Sequence, residues 1–532
     1  MALVVKWISQ RSSEPLVLVR FQPRAQRTFF MKQSEQKFQI PEEVIIVSSE
    51  LKKAGFESYL VGGCVRDLFL NRKPKDWDLT TNATPEEIIK LFPETFYENT
   101  FGTVGIVSPE TTDPTLKVIE VTPYRLESEY SDNRRPDSVN FTNNLHGDLK
   151  RRDFTINAIA LNIDETTGNK GFFEGEVVDL YKGQLDLAEK VIKTVGNPVE
   201  RFQEDGLRIM RAVRLATELG FTINEETMVA LQNNAILLNN IAKERIREEF
   251  NKIIMSKEPM TGIFMCQKLG LLPYILPELE ITMGIEQGGV HIYDVYEHLL
   301  RSLQAAADKD YPLELRLAAL LHDIGKPKSR REGTGSKKWS FFGHEVIGYK
   351  MAKRILEDLR YSNKITTKTL ALIRWHMFFS DTEQITLSAV RRMIANVGKD
   401  NIWDLMNIRI CDRIGMGKTK EDPYRLRKYH AMIEEALHDP ISVGMLKIDG
   451  KKLMEITGEK AGPRVGWILN ALLEEVLEDP TLNTEEKMCE MAINKAKLSD
   501  EELKKIGESG KERKEEEEEK VVKEIRSKHK VN

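Results

Sequence analysis

Downstream of Glu204 the chain almost stops reading as a β protein. In EDGLRIMRAVRLATELG, IAKERIREEFNKII, VYEHLLRSLQAAA, LELRLAALLHD and VIGYKMAKRILEDL the apolar residues recur at helical spacing, so the remainder is predicted to be essentially all-α. Upstream the pattern is different. An amphipathic helix is expected from Glu42 to Ala54, and FESYLVGGCVRDLFL then reads as strand, glycine turn and helix, broken at Gly62-Gly63. KDWDLTT is a second strand. TPEEIIKLF is a helix opened by Thr84 as N-cap and Pro85 at its first position. FGTVGIVS and LKVIEVTPYR give a further strand pair, and a short hairpin is expected around DLYKGQLDL. The fold class is therefore α/β, a head with a small mixed sheet of about four or five strands and its helices, followed by an all-α body.

At 532 residues and 41% hydrophobic content the chain is too long for one core and can bury several, so about three or four units are expected. Four cysteines, Cys64, Cys266, Cys411 and Cys489, lie far apart without a CxxC pair, which argues against thiolate zinc sites and a disulfide framework. No run of about 18 apolar residues occurs, so no membrane partner is expected and a cytoplasmic setting is the default. The net charge of −4 does not advertise nucleic-acid binding; any such contact must come from local basic patches. Residues 1–30 hold several arginines and one acidic residue, Glu14, which fits either an organellar presequence or a dispensable extension ahead of Met31.

Asp76 and Asp78 flank Trp77 on an expected strand, whose two-residue period sends both carboxylates to one face. Paired oxygen ligands of this kind suit Mg²⁺ during displacement at a phosphate. Gly62 and Gly63, with Arg66 one turn on, would let backbone N–H groups approach a triphosphate; an ordinary tight turn is the alternative. Glu120 on the later strand is a candidate third carboxylate, or else a solvent-facing strand residue.

Taken in order, LVGGCVRD, KDWDLTT, RRDFTINAIA, EDGLRIMRAVRLATELGF and ERIREEF resemble the motif set of class II tRNA nucleotidyltransferases and the related bacterial poly(A) polymerases, over roughly Val44 to Phe250. The resemblance implies that Asp76 and Asp78 hold the catalytic metals and that Arg152 and Asp153 contact the ribose and phosphates of the nucleotide. It also implies that Asn133-Arg134-Arg135-Pro136 forms a loop near the active site.

Glu204, Asp205 and Arg208 are expected to begin a helix, with Asp205 and Arg208 on one face. A carboxylate accepts from an exocyclic amine and a guanidinium donates to a ring nitrogen, a pairing that cytosine and adenine satisfy and uracil and guanine do not. This motif resembles the family's amino-acid template for base selection; the plainer alternative is a charged helix start with an internal ion pair. Arg211 and Arg214 continue the basic face.

Further on, His298, His322-Asp323, His344, His376 and Asp412 resemble the HD superfamily of metal-dependent phosphohydrolases, with LLHDIGKP as signature and Lys326 placed to reach a phosphate. His344 and His376 are what a second metal would need. Mixed N/O ligands suit Ni, Mn, Co or Fe better than Mg²⁺. Such a domain either hydrolyses phosphoesters or serves as tRNA-binding bulk. Near the C-terminus, Gly462, Pro463 and Arg464 open a helix that either docks tRNA phosphates or is a plain helix start.

The expected organisation is an N-terminal extension (1–35), a nucleotidyltransferase head (36–185), a helical neck with the base-selecting motif (186–256), an HD-type domain (257–420), a helical tail domain (421–500) and a charged tail (501–532). The expected function is addition of CMP and AMP from CTP and ATP to the tRNA 3′ end with Mg²⁺. The alternatives are a poly(A) polymerase, a CC-only or A-only enzyme, and an HD phosphohydrolase with an RNA-binding head.

Overall fold

The computed structural model describes residues 37–97, 102–127, 139–169, 171–288, 291–333, 338–377, 385–418, 423–439, 442–503 and 506. The expectations for residues 1–35, for Asn133-Arg134-Arg135-Pro136 and for the charged tail beyond residue 506 lie outside the described residues. Two compact units form, one from residues up to Thr122 together with Ala160–Val178, the other from Pro123–Ile159 together with Asp179 onward.

The first unit is an eight-stranded sheet in the order β1-β10-β9-β2-β3-β6-β5-β4. Its strands are β1 (Lys37–Gln39), β2 (Tyr59–Val61), β3 (Asp78–Thr81), β4 (Thr95–Tyr97), β5 (Val104–Val107), β6 (Val118–Pro123), β9 (Ile159–Asn169) and β10 (Phe172–Asp179); β7 (Arg125–Glu127) and β8 (Val139–Phe141) pair separately. Helices α1 (Glu42–Lys53), α2 (Gly63–Phe69) and α3 (Pro85–Leu91) fall between strands. Thr84 caps α3 as expected: its hydroxyl accepts from the Glu87 N–H while the Glu87 carboxylate accepts from the Thr84 N–H, a capping box.

The strand count exceeds the expected four or five. The edge strands β1 and β4 have three residues each, and the outer half of β9, IDETTGN, is too polar to read as a strand. Nor does a hairpin form around DLYKGQLDL. There the Asp179 carboxylate accepts from the N–H groups of Gly183 (2.8 Å) and Gln184 (2.9 Å), which starts helix α5 (Gly183–Glu189) after α4 (Leu145–Lys150). A side chain at Gly183 would collide with the Thr155 carbonyl, so this glycine serves close packing rather than a turn.

The second unit is helical, as the periodicity predicts. It contains α6 (Pro198–Glu204), α7 (Leu207–Leu219), α8 (Glu225–Asn233), α9 (Lys243–Ile254), α10 (Pro259–Lys268), α11 (Val295–Asp308), α12 (Leu313–Leu321), α13 (His344–Asp358), α14 (Asn363–Trp375), α15 (Leu387–Val397), α16 (Ile402–Gly415), α17 (Tyr424–Leu437), α18 (Gly450–Thr457), α19 (Pro463–Glu478) and α20 (Glu485–Lys495). Residues 123–159, expected within the head, belong to this unit: Thr155 donates to Asp186 and Asp153 pairs with Arg211. Helix α11 packs on α12 and α16, and its Leu299, Leu303 and Ala306 are fully buried.

Helices α18 to α20 close on a separate small core of Leu453, Ile468, Leu472, Val476 and Met488. Arg464 there donates to Glu459, Asp500 and the carbonyls of Ala496 and Leu498, so it clamps the domain and its guanidinium is committed within the chain. Among the described residues no helix is long and apolar enough to cross a membrane.

Candidate functional site

In the first unit β2 runs into Gly62, whose φ of 78° and ψ of −136° suit only glycine, and α2 starts at Gly63. A side chain at Gly63 would lie 3.6 Å from both Arg66 Nη2 and Asp76 Oδ1, so glycine leaves open the space between guanidinium and carboxylate. Arg66 is steadied by Asp67, whose Oδ1 accepts from Nε at 3.0 Å; burial raises the Asp67 carboxyl against the pull of Arg66. Asp76 is exposed, Trp77 buried and Asp78 half-buried, which is the expected alternation, although the strand itself begins only at Asp78. The Glu120 N–H donates to the Trp77 carbonyl at 3.0 Å, setting Glu120 of β6 beside the aspartate pair.

Cys64 donates its thiol to the Val61 carbonyl at 3.1 Å, and burial, with Asp78 adding to it, pushes the thiol up to about 12, so it is packing rather than chemistry. The three carboxylates Asp76, Asp78 and Glu120 do not draw an oxygen each within 4.8 Å of one another, unlike the histidine cluster described below.

The base-selecting motif does not begin one helix, as expected. Glu204 ends α6, Asp205 sits in the break (φ −138°, ψ 105°), and Arg208 lies in the first turn of α7. Gly206 makes the break tight: a side chain there would press on Leu237 at 3.1 Å. Asp205 caps α7 by accepting from the Leu207 N–H at 3.0 Å, so it stands outside the helix it was expected to share with Arg208.

Nor do Asp205 and Arg208 pair with each other. Arg245 of α9 grips Asp205, with Nη2 to Oδ2 at 2.9 Å. The buried Arg208 instead donates to Glu204 Oε2 at 2.5 Å and to the carbonyls of Arg201 (3.1 Å) and Arg151 (2.9 Å). Asp153 accepts from Arg211 Nε at 2.8 Å; burial opposes its ionisation, but Arg211 and Arg208 outweigh it and hold the carboxyl at about 2. Arg152 donates to Asp148 at 3.2 Å, and the same fully buried carboxylate takes Arg151 at 2.6 Å. Arg214 meets Glu249 at 3.1 Å. Sequence reasoning missed Arg245 and Asp148. The first stood within ERIREEF; the second lies four residues before Arg152, the reach of one helical turn.

All six HD residues converge. His298 comes from α11, His322 and Asp323 follow α12, His344 opens α13, His376 follows α14, and Asp412 lies on α16. Two ligand groups share Asp323: His298, His322, Asp323 and Asp412, and Asp323, His344 and His376. His298 Nε2 lies 3.0 Å from His322 Nε2, 3.1 Å from Asp323 Oδ2 and 3.4 Å from Asp412 Oδ1. His344 Nε2 lies 3.3 Å from His376 Nε2 and 3.1 Å from Asp323 Oδ1.

The tautomers follow from the backbone. His322, His344 and His376 each donate Nδ1–H to a carbonyl three residues back, of Ala319, Phe341 and Ile373. Their Nε2 lone pairs are thereby turned inward, which is how histidine is prepared to ligate a cation. A cluster of buried lone pairs and carboxylates fits a divalent metal and little else. Burial disfavours a charged His322, yet Asp323 and Asp412 raise it to about 10, so the carboxylates demand positive charge at this point. Burial pulls His376 down to about 4. Asp412, although buried, is held far below the usual carboxylate range, first by Arg409 at 2.6 Å.

Gly325 and Gly415 permit this convergence. A side chain at the first would collide with the His344 carbonyl, and at the second would sit 2.8 Å from the His298 carbonyl. Lys326 reaches Asp323 Oδ2 at 2.5 Å and Gln287 Oε1 at 2.6 Å. Gln287 and His291 were also missed, although both stand within EQGGVHIYDVYEH just ahead of His298.

Comparison with known proteins matches residues 58–193 to the poly A polymerase head domain, 220–282 to the probable RNA and SrmB-binding site of polymerase A, and 295–404 to the HD domain. The CCA-adding enzyme of Limosilactobacillus fermentum is 34% identical over 84% of this chain and 95% of its own length. That of Ligilactobacillus salivarius is 31% identical over 87% and 99%. The crystal structure of the Bacillus stearothermophilus CCA-adding enzyme in complex with CTP is similar with a TM-score of 0.63, at 27% identity over 85% of this chain and 96% of that one.

Proposed function

The chain belongs to the CCA-adding enzyme family, and from that premise we propose how its own residues add CMP and AMP from CTP and ATP to the tRNA 3′ end without a nucleic-acid template. The observation that carries the reading is the match along nearly the whole length of relatives of that name, head, neck and body together. Those relatives do not favour the poly(A), CC-only or A-only alternatives. A cytoplasmic setting is part of the same proposal.

In the reaction the tRNA 3′-oxygen forms a bond to the α-phosphorus, the bond from that phosphorus to the oxygen bridging to the β-phosphate breaks, and pyrophosphate leaves as the hydroxyl proton is lost. Asp76 and Asp78, with Glu120 as third carboxylate, would hold Mg²⁺, which would supply charge neutralisation on the triphosphate. Gly62 and Gly63 admit the phosphates and Arg66, held by Asp67, grips them. Arg152 and Asp153 meet the ribose and phosphates, with Asp148 and Arg211 as their anchors.

Base choice falls to Asp205 and Arg208. Arg245 fixes the Asp205 carboxylate, which accepts the exocyclic amine of cytosine or adenine. Arg208 exchanges Glu204 for the adjacent ring nitrogen. Uracil and guanine would set a carbonyl against the carboxylate and an N–H against the guanidinium, a mismatch of a few kcal/mol in a buried site.

The histidine cluster we assign to divalent-cation binding: His298, His322, Asp323 and Asp412, with His344 and His376, would hold cations of nickel, manganese, cobalt or iron type and would serve a second, phosphohydrolase activity. Such cations supply Lewis acidity toward a phosphoryl group and acidify water. The inward Nε2 atoms support this over a role as RNA-binding bulk. The test is to incubate the protein with tRNA lacking CCA, lacking only A, or complete, with each NTP singly and together, and to sequence the 3′ ends. C followed by C and A, and nothing on complete tRNA, is expected; long A tails would overturn full CCA addition.

A further inference from the structure

His291 lies outside both ligand groups, yet its ring meets His298 edge-on, with centroids 5.3 Å apart and planes at 86°. Its Nδ1 is buried and has no hydrogen-bond partner among the described residues. A buried ring nitrogen left unpaired is costly and calls for an account. Three of the ligand histidines spend their Nδ1 on backbone carbonyls; His291 does not.

The described residues on either side of it are held by hydrogen bonds. Gly284 N–H donates to Asp294 Oδ2 at 2.8 Å, Val295 N–H to the Ile285 carbonyl at 3.0 Å, and Gln287 Nε2 to the Tyr293 carbonyl at 3.2 Å. Asp294 also caps α11 through Glu297 N–H. Gln287, itself only 7% exposed, accepts from Lys326, which in turn meets Asp323. The segment and the ligand cluster are thus joined through one ammonium group. An imidazole carries at least one N–H in either tautomer. Two donors, one of them cationic, therefore stand against members of the ligand cluster, His291 against His298 and Lys326 against Asp323.

We infer that His291 is a second anion-binding group of this centre beside the Lys326 already expected to meet a phosphate, His291 donating a ring N–H to a non-bridging oxygen of a tetrahedral phosphoryl group, with Gln287 as the residue that positions Lys326. This rests on the reading of the cluster as a divalent-metal phosphohydrolase site.

The test uses the full chain loaded with manganese, as wild type, His291→Ala and His291→Asn, the last keeping an N–H donor. Four quantities are measured: metal per chain, affinity for inorganic phosphate by calorimetry, hydrolysis of p-nitrophenyl phosphate, and CCA addition. The alanine variant should retain its metal and CCA addition while phosphate affinity falls about tenfold, as expected for one lost hydrogen bond to a charged group, and the asparagine variant should recover part of that loss. Phosphate affinity within about twofold of wild type in the alanine variant, or metal lost in parallel, overturns the inference. The same holds if manganese-loaded wild type binds no phosphate. Phosphate binding that depends on His291 in a wild type that hydrolyses nothing upholds the anion site and overturns the phosphohydrolase reading instead.

Discussion

In the neck and the 123–159 stretch that belongs to the same unit, each buried charge discussed above faces one of opposite sign: Arg208 on Glu204, Asp205 on Arg245, Asp153 on Arg211 and Asp148 on Arg151 and Arg152. In the histidine cluster like atoms face one another, Nε2 against Nε2 at 3.0 Å and again at 3.3 Å. In a network of the first kind the charges are already compensated, and a nucleotide would enter by exchange of partners. The second kind becomes favourable only around a cation. On the proposed reading, one region would serve reversible recognition of a substrate and the other a resident ion.

The sharpest way to break this comparison is to remove one metal set and look for its effect at the other. Asp76→Ala or Asp78→Ala should lower CCA addition by roughly 10³-fold or more, since several kcal/mol of charge stabilisation goes with the ligand. Hydrolysis of phosphate esters and tRNA binding should persist. Incorporation within about tenfold of wild type in either variant would take these aspartates out of the metal site.

The reverse experiment is His322→Ala/Asp323→Ala, which removes the shared carboxylate and one imidazole. Metal per chain and hydrolysis should be lost while CCA addition stays within about threefold of wild type. A chelator-treated wild type should behave the same way toward phosphate esters and recover with nickel or manganese. If no cation stimulates hydrolysis in protein that is folded and CCA-active, the cluster keeps only a structural or tRNA-docking role.

A smaller effect is expected in the neck. Arg208→Ala and Arg245→Ala should each relax the preference for CTP and ATP over UTP and GTP by about ten- to hundredfold, with less change in triphosphate binding. Arg245→Ala sharpens the point, because it touches Asp205 rather than the base and leaves the carboxylate unfixed. Unchanged selectivity in Arg208→Ala would sink the paired-edge account.

These sites were legible in the sequence to different degrees for a physical reason. Metal ligands are restricted to a few residue types, so His298, His322, Asp323, His344, His376 and Asp412 stood out although they span five helices. The helical body was legible because its apolar period is long and regular. The hairpin misread at DLYKGQLDL turned on one capping carboxylate, Asp179, and the break at Asp205-Gly206 on a close approach to Leu237. The first contact is local but depends on one side chain rather than on an apolar period, and the second joins residues distant in sequence, so periodicity carries no trace of either. Arg245 was hidden for the same reason: an arginine on a charged helix looks like any solvated one until its partner 40 residues away is known.

The mildest test concerns Asp153, whose carboxyl is held at about 2 rather than at its ordinary 3.8. A depressed carboxylate stabilises the folded chain at every pH above its unfolded value, and that contribution fades as pH falls toward the folded value. The window is therefore acidic, from about pH 4 down to about pH 2, and the effect at neutral pH is about 2 kcal/mol. Asp153→Asn removes the titrating group and leaves Arg211 without its partner charge. Its thermal midpoint should lie several degrees below wild type at neutral pH, and the gap should close as the medium is acidified. Since Asp323 and Asp412 are also held low, a shared acid loss from the histidine cluster cancels in the difference between these two proteins. A gap that stays constant down to about pH 2 would mean that the Asp153–Arg211 pair is not what fixes this part of the neck.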